Sequence, residues 1–414
     1  YPIHRSITGD GVRKTLDLIK EKVPLKKKFF KSGKKVFDWI IPKEWNIKSA
    51  YILDLKNNKK YANFNENNLH IVGYSKPINK TITLDELKRH IHVDKKNKDA
   101  IPYVTSYYKK TWGFCLSHNQ LKNIKNKKYK VVIDSSFKNG VMDYGETLIK
   151  GRLKKEILFS AYICHPSMAN NELSGPVVTQ GLIKYLSTRD NNYSYRFLFI
   201  PETIGSISYI TENLDRMKKR ILGGFVLSCV GDDRAFSIIS SRTNNNPLQS
   251  ILEQKISEYN KKKLIKFDIY SFLERGSDER QYCSPGVDLP ISGFCRSKYG
   301  TYPEYHTSED NFEVVTQKGL KGSFEVLLNM IDNIEKLDFP IAKFICEPSL
   351  GKRGIYPTIG GQKKTSFVKN CTNILAYSDG SNSIQSIAKL ISCKEDEVLE
   401  IVNLLRSKGV LLRN

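Results

Sequence analysis

The chain has no apolar run near the roughly twenty residues that a membrane-spanning helix requires. Its first residues lack the basic, apolar and small-residue zones of a secretory signal. There is no C-x-x-C pair: the cysteines stand at 115, 164, 229, 283, 295, 346, 371 and 393, several of them inside apolar runs. That distribution excludes a disulfide framework and fits buried, reduced thiols in a cytoplasmic protein. Histidine is scarce, with only His4, His70, His90, His92, His118, His165 and His306, so each one carries weight. Negative charge is also short. Lys and Arg number 67 against 43 Asp and Glu, a net +24. An acidic partner such as a nucleic acid or an anionic glycan would exploit that excess. Plain Lys- and Asn-rich surface stretches at 56–60, 122–130 and 260–263 account for it more simply as composition.

What is present is enough apolar material for two or three domains in 414 residues. Residues 1–50 open with a polar, Gly-containing segment, a helix over Gly11–Lys22 and a strand-like run Lys35–Pro42. Residues 51–150 carry short β-like runs at Ala50–Leu55, His70–Gly73, Tyr129–Ser135 and Glu146–Lys150, with a helix over Thr83–His92. They read as a small β-rich module inserted into the first domain. From 151 to 340 buried strands alternate with helices: Glu156–Cys164, then Pro176–Ser187, Tyr195–Ile200, Ile207–Lys219, Leu222–Val230 and Pro247–Tyr259. Near-continuous apolar strands between helices predict an α/β sheet with helices on both faces. Residues 364–414 form a separate unit, with amphipathic helices at Ser383–Leu390 and Glu395–Arg406 around a turn at 392–394. This is a helix-turn-helix pattern, with Gly409–Leu412 as a wing. The second helix opens Glu395-Asp-Glu, which would repel phosphate at the end that meets base edges. A protein contact, or a homo-oligomer contact, is expected there instead of nucleic acid.

Open α/β sheets build their sites beyond the carboxyl ends of the strands. The polar residues found there are Cys164-His165-Pro166, Asn171-Glu172, Pro201-Glu202-Thr203, Asp232-Asp233, Ser277-Asp278-Glu279 and Tyr305-His306-Thr307. Imidazoles and carboxylates at successive strand ends are the mixture a zinc site needs, together with a further carboxylate to move the proton.

In order along residues 150–335 these segments resemble the M28-type zinc aminopeptidases. The resemblance implies a mixed sheet with helices on both faces, and a zinc-binding His after the first strand, here His165. The D-N-x-S-G motif reads Asn171-Glu-Leu-Ser-Gly175, so the bridging Asp is Asn171 and Glu172 is the only anionic candidate. The E-E-x-G motif reads Glu202-Thr-Ile-Gly205, which keeps the base and loses a ligand at Thr203. The Asp after the third strand falls at Ser228, and the final His, in a Y-H-T-x-x-D setting, is His306. Three acidic positions are thus lost, and the expectation is one zinc, held by His165, Glu172 and His306, with Glu202 as general base. A closer resemblance runs through Tyr1–Arg13, His165–Gly175 and Arg275–Tyr282 to the DUF4910 group. That group pairs an aminopeptidase-like domain with an inserted DUF2172-type β-module and a C-terminal winged helix, and its members are described as polysaccharide-biosynthesis proteins.

The resemblance implies a hydrolase acting on a small peptide, aminoacyl or amide-bearing substrate. Acyl transfer or cyclisation at a single zinc, and an adaptor on a peptidase scaffold, are the alternatives. Around the site, Asn171, Asp278, Tyr305 and Asp233 are candidates for orienting ligands or substrate. Asp233 can equally pair with Arg234. Arg5 is a candidate for a substrate carboxylate or sugar acid, or belongs to an ordinary loop. Tyr107, Tyr108 and Trp112 read as core of the inserted module, with a carbohydrate platform as the other reading.

Overall fold

The computed structural model describes residues 1–261, 263–355 and 366–412. An eight-stranded mixed sheet runs through the larger domain in the order Lys26–Lys31, Val141–Ile149, Ser194–Ile200, Glu156–Tyr162, Ile221–Leu227, Ile291–Cys295, Ala235–Ile239, Lys266–Tyr270. The four central strands, from Ser194–Ile200 to Ile291–Cys295, are parallel. Alternation along a strand sends neighbours to opposite faces. Phe159, Phe197 and Phe225 stack on one face and pack with Leu182, Leu252 and Val326 from three covering helices, Ser174–Ser187, Gln249–Asn260 and Gln317–Ile334. Leu158, Leu198 and Val226 point the other way and meet Ile207 and Met217 of the helix Ile204–Arg220. Both faces are covered, as the apolar runs predict.

Strand Val141–Ile149, whose second half lies in a run assigned above to the inserted module, belongs to the main sheet and pairs antiparallel with Ser194–Ile200. Charge explains the join. Arg196, buried in the middle of that sheet, reaches Glu146 on one side and donates to Glu156 at 2.5 Å on the other. A buried guanidinium needs such flanking carboxylates, and no apolar pattern announces them.

The module itself is a four-stranded antiparallel sheet in the order Lys60–Tyr61, Glu44–Asp54, Lys128–Lys138, Ile78–Thr83, with its own core around Trp112, Phe114 and Tyr129. The helix expected over 83–92 shrinks to Leu84–Lys88. Thr83 caps it by accepting from the Glu86 amide, and Ile91–His92 is extended again. The run 35–42 is a hairpin of two short strands, Lys35–Val36 and Trp39–Ile40. At the end of the chain, helices Ser366–Ala376, Ile384–Leu390 and Glu395–Ser407 share a core of Cys371, Ile387, Val398 and Leu405, and Leu411 bridges back to Ala342. The first of these helices is one the sequence pattern does not foresee, and positions 364–365 lie outside the described residues. Arg406 holds this unit to the larger domain by donating to Asp338 at 2.6 Å. Among the described residues no helix is long and apolar enough to cross a membrane.

Candidate active site

The strand Glu156–Tyr162 is buried along its whole length, and the chain leaves it through Ile163-Cys164-His165. A buried five-residue π-turn, Ala169–Leu173, follows before the helix Ser174–Ser187. Such turns are costly in regular packing and recur at functional sites. Four residues past strand ends, Ser167, Thr203, Cys229 and His306, have φ of 55°, 65°, 50° and 57°. A non-glycine residue in the left-handed region costs on the order of 1–3 kcal/mol, so the surrounding contacts must hold these turns in place.

His165 stands two residues before the first of these turns. Its Nδ1 lies 2.8 Å from Glu172 Oε2, and its Nε2 lies 3.6 Å from Glu202 Oε2. The ring therefore stands between two carboxylates. Arg5 runs beneath it, donating from Nε to the His165 carbonyl at 2.9 Å and from its terminal nitrogen to the Ser167 carbonyl at 2.8 Å. The same Nε is 3.5 Å from Glu172 Oε1, and both side chains are fully buried. Burial works against a charged ring, yet Cys164 and Glu172 beside it raise the His165 pKa well above the usual imidazole value. Burial pushes the Cys164 thiol itself to about 11, so at neutral pH it is uncharged and Glu172 is the effective counter-charge.

Glu202 faces a cavity of about 400 Å³ together with His165, His306, Arg280, Tyr103 and Tyr107. Its Oε1 accepts from Ser277 Oγ at 2.9 Å, and burial raises its pKa. Asp278 props the Glu202 turn from behind, accepting from the Thr203 amide at 2.7 Å and from Ser206 Oγ at 2.8 Å. Burial and the nearby Glu202 charge raise Asp278 to about 7. His306 is stacked on Tyr305, ring centroids 3.9 Å apart and planes 13° from parallel. Its centroid is 5.1 Å from that of His165, its buried Nε2 has no hydrogen-bond partner, and burial holds its pKa well below the usual value.

The structure thus gathers His165, Glu202 and His306 around one cavity, with Tyr305 behind and Asp278 in support. Glu172 is not with them as a third metal ligand. It accepts from the Nδ1 side of His165, whereas the nitrogen that faces the cavity is Nε2; the two point away from each other across the ring. Glu172 is thus engaged at Nδ1 and by Arg5, on the opposite side of the ring from Glu202. Among the described residues no three His, Cys, Asp or Glu side chains are arranged to hold a metal ion. With Glu202 kept as the base, two imidazoles fall short of the three protein ligands that a catalytic zinc uses, and the three side chains are not arranged around a common point, so this residue set does not fit the expected zinc. Asn171 donates to Tyr162 Oη at 2.6 Å, and its backbone amide donates to Asp310 Oδ2 at 2.9 Å. Asn171 is a strut of the π-turn. Asp233 lies 3.4 Å from Lys318 and lines no part of this cavity. Arg5 does fold back to the cleft, but Nε and one terminal nitrogen serve the His165 loop, the other has no partner among the described residues, and the side chain lines no part of this cavity.

Three further side chains complete the site, and of these only Tyr107 was weighed above, chiefly as core of the inserted module. Tyr103 comes from the inserted module, which returns over the site: the Tyr103 amide donates to the His306 carbonyl at 2.8 Å, and its ring stands edge-on to both His165 and His306 at 5.2 Å. Tyr107 donates to or accepts from Tyr103 at 2.9 Å between hydroxyls. Arg280, which donates to Thr203 Oγ1, supplies the positive charge. Only Arg280 lay in a motif already singled out. The aromatic run 103–108 carried no signal separating core from site.

A mixed sheet of this order with a parallel centre, covered on both faces and with its site beyond the strand ends, defines an aminopeptidase-like domain. Two solved structures share the fold. A zinc aminopeptidase from Bacillus subtilis is 15% identical with a TM-score of 0.57, covering 81% of this chain and 91% of that one. A peptidase M28 precursor from Shewanella amazonensis is 11% identical with a TM-score of 0.54, covering 80% and 89%.

Residues 1–337 match the domain of unknown function DUF4910, and 341–413 match a winged helix-turn-helix. The chain belongs to the DUF4910 family. It is 45% identical, over 94% of its length and 88% of the relative's, to a Clostridium acetobutylicum protein named "Putative polysaccharide biosynthesis protein with aminopeptidase-like domain". It is also similar to the crystal structure of a "putative peptidase" from that organism: 41% identity, TM-score 0.79, 99% of this chain and 93% of that one.

Proposed function

We propose that the chain is a hydrolase of the aminopeptidase or amidohydrolase type that cleaves a peptide or amide bond at the Glu202 cavity. The observation that carries this reading is the Glu172–His165–Glu202 line, with a carboxylate on each ring nitrogen and Glu202 at the cavity wall. Glu202 takes a proton from water as the oxygen bonds to the substrate carbonyl carbon. It returns that proton to the departing nitrogen as the C–N bond breaks. His165, held by Glu172, presents Nε2 to the cavity, and Arg280 adds a second positive group where the carbonyl oxygen gains charge. The zinc of the Bacillus subtilis neighbour is no part of this reading, because its donor set is not assembled here. A role in surface polysaccharide biosynthesis comes with the name of the Clostridium relative and is part of the proposal.

Glu202→Gln should lower the turnover of an aminoacyl or amide substrate by about 10²–10⁴-fold, with little change in KM. Full activity in that variant would end the general-base assignment. One observation favours a second reading, a binding scaffold without catalysis: the incomplete donor set. It predicts that substrate-like ligands bind the wild type and the Gln variant alike and emerge unchanged by mass spectrometry.

A further inference from the structure

Beside the Glu202 cavity lies a second groove of about 500 Å³ whose walls carry Lys43, Lys76, Lys109 and Lys110. No Asp or Glu lines it, and none of the four ammonium groups forms an ion pair among the described residues. Lys27 with Asp17 and Lys80 with Glu86 belong to the minority of lysines that pair, so what marks this groove is that four stand around it with no acid among them. Four like charges around one groove repel each other unless an anion lies between them. The groove is also aromatic. Tyr74 packs edge-on against Tyr107 at 5.2 Å and against Phe137 at 5.9 Å, while Tyr108 meets Trp39 at 5.7 Å. Tyr108 is 55% exposed and Phe137 39%, so these rings are not simply core. Tyr107 and Tyr108 line both the groove and the Glu202 cavity, and Tyr103 continues the aromatic path to His165 and His306.

We propose that this groove is the second subsite of the cleft and binds a saccharide carrying an acid group, whose amide-bearing end reaches Glu202. The inference rests on the reading of the Glu202 cavity as the reacting centre. Flat aromatic faces with hydroxyl handles suit the apolar faces and hydroxyls of a sugar ring, and the ammonium groups suit a carboxylate or phosphate as point charges. A peptide lying as an added strand would need free backbone donors. Two amides along the groove are already taken, that of Lys76 by the Thr111 carbonyl at 2.9 Å and that of Ser106 by the Gly73 carbonyl at 3.0 Å.

Calorimetric titration of the full chain with a hexuronate trisaccharide, a neutral trisaccharide, a hexose phosphate and an acidic tripeptide tests this. The hexuronate should bind at least tenfold more tightly than the neutral sugar or the tripeptide, and the hexose phosphate separates carboxylate from phosphate as the preferred acid. Lys109→Glu with Lys110→Glu, both exposed, should weaken that binding at least tenfold. Tyr108→Ala should weaken it too, and Glu202→Gln should leave it unchanged. Equal binding of the neutral sugar, preference for the tripeptide, or indifference to the lysine reversals would overturn the proposal. Hydrolysis of neutral amides without hexuronate binding would overturn it while sparing the Glu202 mechanism. Hexuronate binding without hydrolysis of any amide would support it and remove that mechanism.

Discussion

Glu172 and Arg5 are the residues whose roles the structure changes most. Both are fully buried, and each is the other's compensation. Removing one partner of a buried pair leaves an uncompensated charge and costs about 3–5 kcal/mol, whereas replacing both by apolar groups is far milder. Glu172→Leu should therefore lower the denaturation midpoint sharply. Glu172→Leu combined with Arg5→Met should recover much of the loss, although the His165 ring would remain untethered. Chemical denaturation of the three variants measures the coupling. Asp278 gives a pH signature. Its folded pKa of about 7 lies above the ordinary 3.8. A carboxyl raised on folding contributes stability that is full below its unfolded pKa and is lost as pH rises through the folded value. Stability of the wild type should accordingly fall between pH about 4 and 7 relative to Asp278→Asn, whose side-chain oxygen can still accept from Thr203 and Ser206. Thermal melts across that range would show the two curves diverging with rising pH; parallel curves would remove Asp278 as the source.

At the scale of elements, the π-turn Ala169–Leu173 and the turn at Thr203 set what the site can hold. The M28 resemblance places acidic groups at positions 171 and 203, where this chain has Asn171 and Thr203. Asn171 now ties its turn to Tyr162 and Asp310. Thr203 accepts from Arg280. The expected consequence is that the wild type keeps its melting temperature in a strong chelator and carries well under one zinc per chain by elemental analysis. Asn171→Asp with Thr203→Glu restores two carboxylates beside His165 and His306 and should raise zinc uptake towards stoichiometry. A wild type that already holds one zinc would show that the donors rearrange around the ion. The inserted module belongs to this scale as well, since its 101–108 segment returns through the Tyr103–His306 backbone bond to roof the cavity.

Over the whole molecule, a net charge of +24 invites a nucleic-acid reading, and the winged helix gives it a fold. Its helix Glu395–Ser407 opens with Glu395, Asp396 and Glu397 in the first turn, the end that would meet DNA. We propose that this unit contacts protein. The full chain should not retard duplex DNA at about 0.15 M salt in a gel-shift assay, and whatever weak binding appears at low salt should vanish as salt rises. Glu395→Lys with Glu397→Lys should strengthen binding if charge is the obstacle.

How much of this was legible beforehand follows from range. The buried strands, the covering helices and the order of strand-end motifs are local patterns of period and turn chemistry, and a single chain displays them. That is why an α/β sheet covered on both faces, a helix-turn-helix and the strand-end places of His165, Glu202 and His306 could be read from the pattern, while the aminopeptidase-like character came with the resemblance. Strand Val141–Ile149 could not be placed, because its partner is set by Arg196 reaching Glu146 and Glu156 across two strands. Nor could Glu172 be told from a metal ligand. Its spacing from His165 is right for either role, and which ring nitrogen it meets depends on Arg5, 167 residues away, and on the direction of one buried turn. The sequence by itself determined the scaffold and the loops that carry chemistry. Only the tertiary structure decided which side of the imidazole each carboxylate occupies, because that rests on a buried turn and an ion pair between residues far apart along the chain.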